Sequence, residues 1–190
     1  YVTNSNSDNV SVINTSRDVV TETISVRLQP DINPYFGDSP NGICLSPDEQ
    51  TLYVANGMDN ALAVISLGKK AGNRQGGRES TVTGFIPTGA YPSGICITPS
   101  GSVYVANLES DGVHVGIKNP AGENLIYNSH HLLASISVFP APGSRDLAAH
   151  TDTVIAVNNL ARATTAREEP RSGVAPKPVP ERTGEPSLFR

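Results

Sequence analysis

One tetrapeptide signature recurs at a nearly fixed interval: Tyr1-Val-Thr-Asn4, Tyr53-Val-Ala-Asn56 and Tyr104-Val-Ala-Asn107. The first two copies start 52 residues apart and the last two start 51 apart. The flanking sequence repeats as well. Pro40-Asn-Gly-Ile-Cys44-Leu-Ser-Pro47 precedes the second copy, and Pro92-Ser-Gly-Ile-Cys96-Ile-Thr-Pro99 precedes the third. A constant period of this size means that one supersecondary unit is used repeatedly, which constrains the architecture more than any single residue does.

The most complete unit reads as four strands. Residues 41–46, 51–56, 61–67 and 80–88 are short runs rich in Val, Ile, Thr and Tyr, bounded by Gly, Pro, Asn and Asp. Pro47-Asp-Glu-Gln50 and Gly57-Met-Asp-Asn60 supply turn chemistry between them. Leu62-Ala-Val-Ile65 is apolar at consecutive positions, which suits a strand covered on both faces. Four-stranded antiparallel sheets covered on both faces by their neighbours are the blades of a β-propeller.

The fold class expected is therefore all-β: a partial β-propeller of about 2.5–3 four-stranded blades, then a short helix and a Pro-rich linker. The blade parts are residues 1–26, 39–88 and 92–140 within a domain of residues 1–140; the helix covers 144–161 and the linker 162–190. With its repeats so spaced, the chain resembles the YVTN-repeat β-propellers, bacterial relatives of the lactonase-like and WD40-like propellers. It has no Trp, so WD dipeptides cannot occur. The motif residues Asn4, Asn56 and Asn107 are read as strand-ending residues whose amides bond backbone in the following turn. Tyr1, Tyr53 and Tyr104 are read as packing between blades.

The strand inventory is uneven: three strands in residues 1–26, four in 41–88 and three in 94–140 (94–98, 102–107 and 132–139). A closed propeller needs about 4 to 8 blades. The expected partners are thus missing blades of the same polypeptide, and sheet faces left bare should promote association. Pro140-Ala-Pro-Gly143 ends the last strand, Ser144 suits an N-cap and Asp146 a first turn. Leu147, Thr151, Val154 and Ala161 fall roughly on one helical face, with a strand over 153–157 as the competing reading. Residues 162–190 mix Pro with Arg and Glu, the composition of an extended linker.

A narrower resemblance lies in Gly116-Ile-Lys-Asn-Pro120, Tyr127-Asn-Ser-His-His-Leu132, Ile136-Ser-Val-Phe-Pro140 and the final twelve residues from Val179 to Arg190. These look like the junction of bacterial two-domain proteins, in which a YVTN propeller precedes an alkaline-phosphatase-superfamily phosphoesterase. The resemblance implies a C-terminal domain on the same polypeptide, with a divalent metal in that domain and no cofactor in this segment. It also implies a periplasmic or extracellular location.

Net charge is −4 with a pI near 5.5, which argues against nucleic acid as a partner. No apolar run approaches the ~18 residues of a membrane span. Cys44 and Cys96 sit at equivalent repeat positions, too far apart for a bridge across neighbouring blades, and are expected to be small buried core residues.

Connections from the second to the third strand share one face with connections between blades, and both long insertions fall there. They carry the candidate interaction face for a protein or small-molecule ligand: Asp31, Tyr35, Phe36, Asp38, Asp111, His114, Tyr127, His130 and His131. His114 with His130-His131 has poor spacing for a metal, since adjacent residues on an extended chain point oppositely. Asp31 with Asp38 could hold a cation. The Gly-rich basic stretch 68–78 lacks the P-loop pattern, and no Gly-x-Ser-x-Gly elbow or acid–base carboxylate pair is evident. No catalytic, cofactor or metal residue is therefore assigned. The leading expectation is a non-catalytic scaffold or substrate-presenting module beside a phosphoesterase. The rivals are a lactonase-like hydrolase and a periplasmic or surface module binding protein or glycan.

Overall fold

The computed structural model describes residues 1–28, 37–68, 78–110, 121–122 and 133–189. Three antiparallel sheets follow one another along the chain. The first holds β1 (Val2–Asn4), β2 (Asn9–Asn14) and β3 (Val19–Ser25), in that order, with a 3-10 turn at Ser5–Ser7. The second is a complete blade, β4 (Pro40–Leu45), β5 (Thr51–Asn56), β6 (Ala61–Ser66) and β7 (Thr81–Pro87). The third holds β8 (Pro92–Ile97), β9 (Ser102–Asn107) and β10 (Ser135–Pro140). The signature strands β1, β5 and β9 occupy the same place in each unit. The architecture is an arc of a propeller with no closed barrel.

Strand alternation explains why the middle sheet looks apolar throughout. Successive side chains point to opposite faces. Leu52, Val54, Ala61, Ala63, Ile65 and Phe85 join Val10, Ile24 and Val26 of the first sheet in one core. Tyr53, Ala55, Leu62, Val64 and Ile86 join Val103 and Val105 of the third sheet in the other. The sheets approach closely at the inner strands. A Cβ built on Gly42 of β4 would lie 2.0 Å from the Ser93 carbonyl oxygen of β8.

Three backbone bonds of the connections recur from one junction to the next, while the Ala90 N–H donates to Ser110 O at 2.6 Å where the Asp38 N–H donates to the Asp8 side chain. Val26 N–H donates to Asp8 O and Thr88 N–H to Asn60 O, at equivalent places in the first two sheets. Gly57 and Met58 N–H donate to Ser39 O and Asp38 O, as Leu108 and Glu109 N–H donate to Tyr91 O and Ala90 O. Asp8 and Asn60 both adopt left-handed backbone, φ 47° and 53°, and so do Ser39 and Tyr91, φ 53° and 52°. These bonds gather the second-to-third-strand turns and the between-sheet connections on one face.

The helix expected over 144–161 forms as α1 (Ser144–Val157), followed after Asn158 and the left-handed Asn159 by α2 (Leu160–Ala166). Its N-cap is Gly143 rather than Ser144, while Asp146 does lie in the first turn. The competing strand over 153–157 does not form. α1 crosses the outer strand of the middle sheet. Leu147 enters the core toward the third sheet and Val154 the core toward the first. Between them Thr151 Oγ1 accepts the Phe85 N–H at 2.9 Å and donates to Leu147 O at 2.8 Å. The helix thus covers an edge strand that would otherwise present unpaired donors. Ala161 lies in α2, exposed, and not on the packing face.

The Pro-rich stretch is more structured than its composition suggests. Glu185, with a side chain 1% exposed, accepts a charge-assisted bond from Arg171 Nε at 2.6 Å. Arg171 also pairs with Glu181, and Arg182 with Glu168. Lys177 and Ser187 form a parallel bridge, and Thr183 N–H donates to Ala166 O. Polar pinning replaces the apolar core that the segment lacks.

Candidate functional site

The face that gathers the connections carries a set of buried carboxylates. Asp8 ends the 3-10 turn of the first sheet, and its oxygens accept N–H bonds from Gly37 (2.8 Å), Asp38 (3.0 Å) and Ser39 (3.2 Å). A left-handed residue in a tight turn can aim a short polar side chain back at the backbone of the next unit, as Asp and Asn do readily. In the next junction Asn60 plays this part, accepting the Tyr91 N–H at 2.9 Å. Asp38 Oδ2 accepts the Leu28 N–H at 2.9 Å. Asp59, in the turn between β5 and β6, accepts from Asn56 Nδ2 at 2.9 Å; the same amide donates to Val26 O at 2.7 Å. Asn158 at the end of α1 holds the Asp59 carbonyl at 3.0 Å.

All three carboxylates are buried: Asp8 0% exposed, Asp38 7% and Asp59 8%. Burial pushes Asp59 up to about 7, reinforced by the negative charges of Asp38 and Asp8 and opposed by the Asn56 bond. Asp38 is also raised by burial, with the Leu28 N–H opposing. Beside the cluster lies a recess of about 500 Å³ lined by Ser5, Asn6, Gly37, Ser39 and Met58, so both sheets contribute to its walls.

The sequence singled out Asp38 and missed Asp8 and Asp59 as site residues. The usable signal was a difference between repeat copies. Asp38 stands where the next unit has Ala90, Asp59 where it has Ser110, and Asp8 where it has Asn60. Asp31, Tyr35, Phe36, Asp111, His114, Tyr127, His130 and His131 lie outside the described residues, as does the stretch 69–77. The Asp31–Asp38 pair therefore has only one described member. Among the described residues no group of three His, Cys, Asp or Glu is placed to hold a metal ion.

The motif residues need correction. Asn4 donates to Asn9 Oδ1 and Ser11 Oγ, and Asn107 to Ser135 and Ser137 Oγ, so these amides clamp side chains of the next strand rather than backbone of the following turn. Among the described residues, Asn56 is the one that reaches its own turn, through the Asp59 side chain. The reason is geometric: pairing puts Asn4 opposite Asn9 and Asn107 opposite Ser135, so polar side chains of the next strand come within reach of each amide. Tyr53 packs between sheets, whereas Tyr1 and Tyr104 are half-exposed. Cys44 and Cys96 are free, but neither is a buried core residue: Cys44 is half-buried, and Cys96 is exposed because it lies on the uncovered face of the third sheet.

Comparison with known proteins places the sheets in a family. The model of the SMP-30/gluconolactonase/LRE-like region matches residues 28–127, which is 100 of the 190 residues. No curated protein sequence matches the chain. Among solved structures, a putative 6-phosphogluconolactonase from Bacteroides uniformis shares 19% identity at a TM-score of 0.44, covering 72% of this chain and 36% of its own. Hydrazine synthase from Kuenenia stuttgartiensis shares 25% identity at a TM-score of 0.39, covering 53% of this chain and 23% of its own. The chain thus spans about a quarter to a third of the length of these two structures. By the match across more than half its residues, the chain belongs to the SMP-30/gluconolactonase/LRE-like family.

Proposed function

We propose that the chain is an arc of a lactonase-like propeller that hydrolyses sugar lactones. The family match over residues 28–127 carries this reading, since that stretch includes Asp38, Asp59 and most of the recess wall. Opening a lactone ring requires a base to take a proton from the attacking water and an acid to return one to the leaving oxygen. A carboxyl group titrating near neutrality suits both steps. Asp59 is the described group in that range, so it is the candidate for proton transfer, with Asn56 orienting it. Assay of the protein on aldonolactones, monitored by acid release, tests the reading. Asp59→Asn should cut kcat about a hundredfold or more. Lactone turnover no faster than the spontaneous rate in the wild type would contradict it.

The second reading is a non-catalytic scaffold that presents substrate to a metal-dependent phosphoesterase domain of the same polypeptide, in the periplasm or outside the cell. It rests on the junction resemblance. A reading frame with no such domain beyond residue 190 would remove it. The binding-module reading, for protein or glycan, uses the same recess face, and further blades of the polypeptide are the proposed partners of the bare sheet faces.

A further inference from the structure

Two junctions between sheets can be compared position by position, and they differ in charge. At the first, Asp8, Asp38 and Asp59 converge; at the second, the equivalent positions are Asn60, Ala90 and Ser110. Both junctions share three backbone bonds and the left-handed pairs Asp8/Asn60 and Ser39/Tyr91; they differ where the Ala90 N–H donates to Ser110 O and the equivalent Asp38 N–H donates to the Asp8 carboxylate. The fold of the repeat therefore does not need carboxylates there. Burying three of them within one junction works against stability unless one keeps a proton.

We infer that the first junction is a proton-operated latch beside the recess: it is held while Asp59, buried beside Asp8 and Asp38, keeps its proton and loosens when Asp59 ionises, whereas the second junction is indifferent to pH. Hydrogen bonding decides where the proton sits. Asp8 accepts three backbone N–H bonds. Asp38 accepts the Leu28 N–H and has the Arg27 cation nearby. Among the described residues Asp59 has one amide donor, two negative neighbours and no cation acting on it, and from α1 the Asn158 amide meets its backbone. Asp59 is thus the group that holds the proton.

The sign follows from linkage. Burial lifts Asp59 from an ordinary 3.8 to about 7 in the closed junction, while an opened junction returns it toward the ordinary value. The closed form binds more protons between those limits, so its advantage is largest in acid, falls as pH rises and is gone above about pH 7. Because Ser5 and Asn6 lie on one side of the junction and Met58 on the other, its loosening changes the shape of the recess. The inference does not depend on lactone hydrolysis, since its readout involves no substrate.

Amide hydrogen exchange across pH 5 to 8.5, corrected for intrinsic exchange rates, tests the latch. Protection of the Val26, Leu28, Gly37, Asp38 and Ser39 amides should fall by up to about tenfold per pH unit toward pH 7 and then level off. The Thr88, Tyr91, Leu108 and Glu109 amides of the second junction should show no such slope. Asp59→Asn should abolish the slope at the first junction. Asp38→Asn, which removes one negative neighbour and leaves Asp59 in place, should move the levelling point to lower pH. A flat wild-type profile, equal slopes at both junctions, or a slope and levelling point unchanged in either variant would overturn the inference.

Discussion

Single residues in this molecule are best understood against their repeat equivalents. Gly42 and Gly94 occupy the same motif position, yet only Gly42 faces a neighbouring sheet. A Cβ at Gly94 would meet the Ala106 Cβ at 3.6 Å, an ordinary contact, whereas at Gly42 it would strike backbone. Gly42→Ala should therefore cost about 1–3 kcal/mol by forcing the inner strands apart, and Gly94→Ala should be close to neutral; urea denaturation of both variants measures the contrast. The signature asparagines differ similarly in what they hold. Asn107→Ala removes two side-chain bonds to β10 and should cost about 1 kcal/mol. The motif was legible in the sequence, but its partners were not. Which polar atoms an amide reaches depends on strand register, and the buried carboxylates became visible only once three connections were folded onto one face.

At the scale of elements, periodicity marked most of the strands and the presence of a helix after Pro140, because alternation and turn residues act locally. It did not show where the helix would pack. α1 lies across β7 because Gly84 leaves room for it: a Cβ there would sit 2.6 Å from Thr151 Oγ1 and 2.8 Å from Leu147 Cγ. Leu147→Ala should cost about 2–4 kcal/mol, and Thr151→Val about 1 kcal/mol by orphaning the Phe85 N–H, both measurable by thermal or urea unfolding. The C-terminal clasp escaped a reading based on composition, because it is ordered by specific ion pairs rather than by apolar burial. Arg171 holds the Glu185 carboxyl down at about 2 from an ordinary 4.5. A depressed carboxylate contributes stability above its unfolded value and loses it as pH falls through the folded one. Exchange protection of residues 171–188 should thus decline from about pH 4.5 towards pH 2, and Glu185→Gln should lose that protection at neutral pH.

For the whole molecule, the arrangement of sheets follows from one fact: the middle sheet buries both faces and the outer two bury one each. Leu62 and Val64 are 0% and 6% exposed, while their equivalents in the third sheet, Ile136 and Val138, are 68% and 56% exposed. Lysine at both positions 136 and 138 should leave folding intact and reduce self-association, read by light scattering, whereas Leu62→Lys should unfold the protein. The arc was legible from the repeat because a period of this length leaves few ways to bury consecutive apolar residues. The central claim is that, among the described residues, the first and third sheets bury their cores against the second and not against each other. Methyl–methyl NOEs on the labelled protein test it directly. The account predicts contacts from Val10 and Val26 to Leu52 and Val54, and from Leu62 and Val64 to Val103 and Val105, with none between the first and third groups. Contacts joining Val10 or Val26 to Val103 or Val105, as a closed barrel would give, would contradict it.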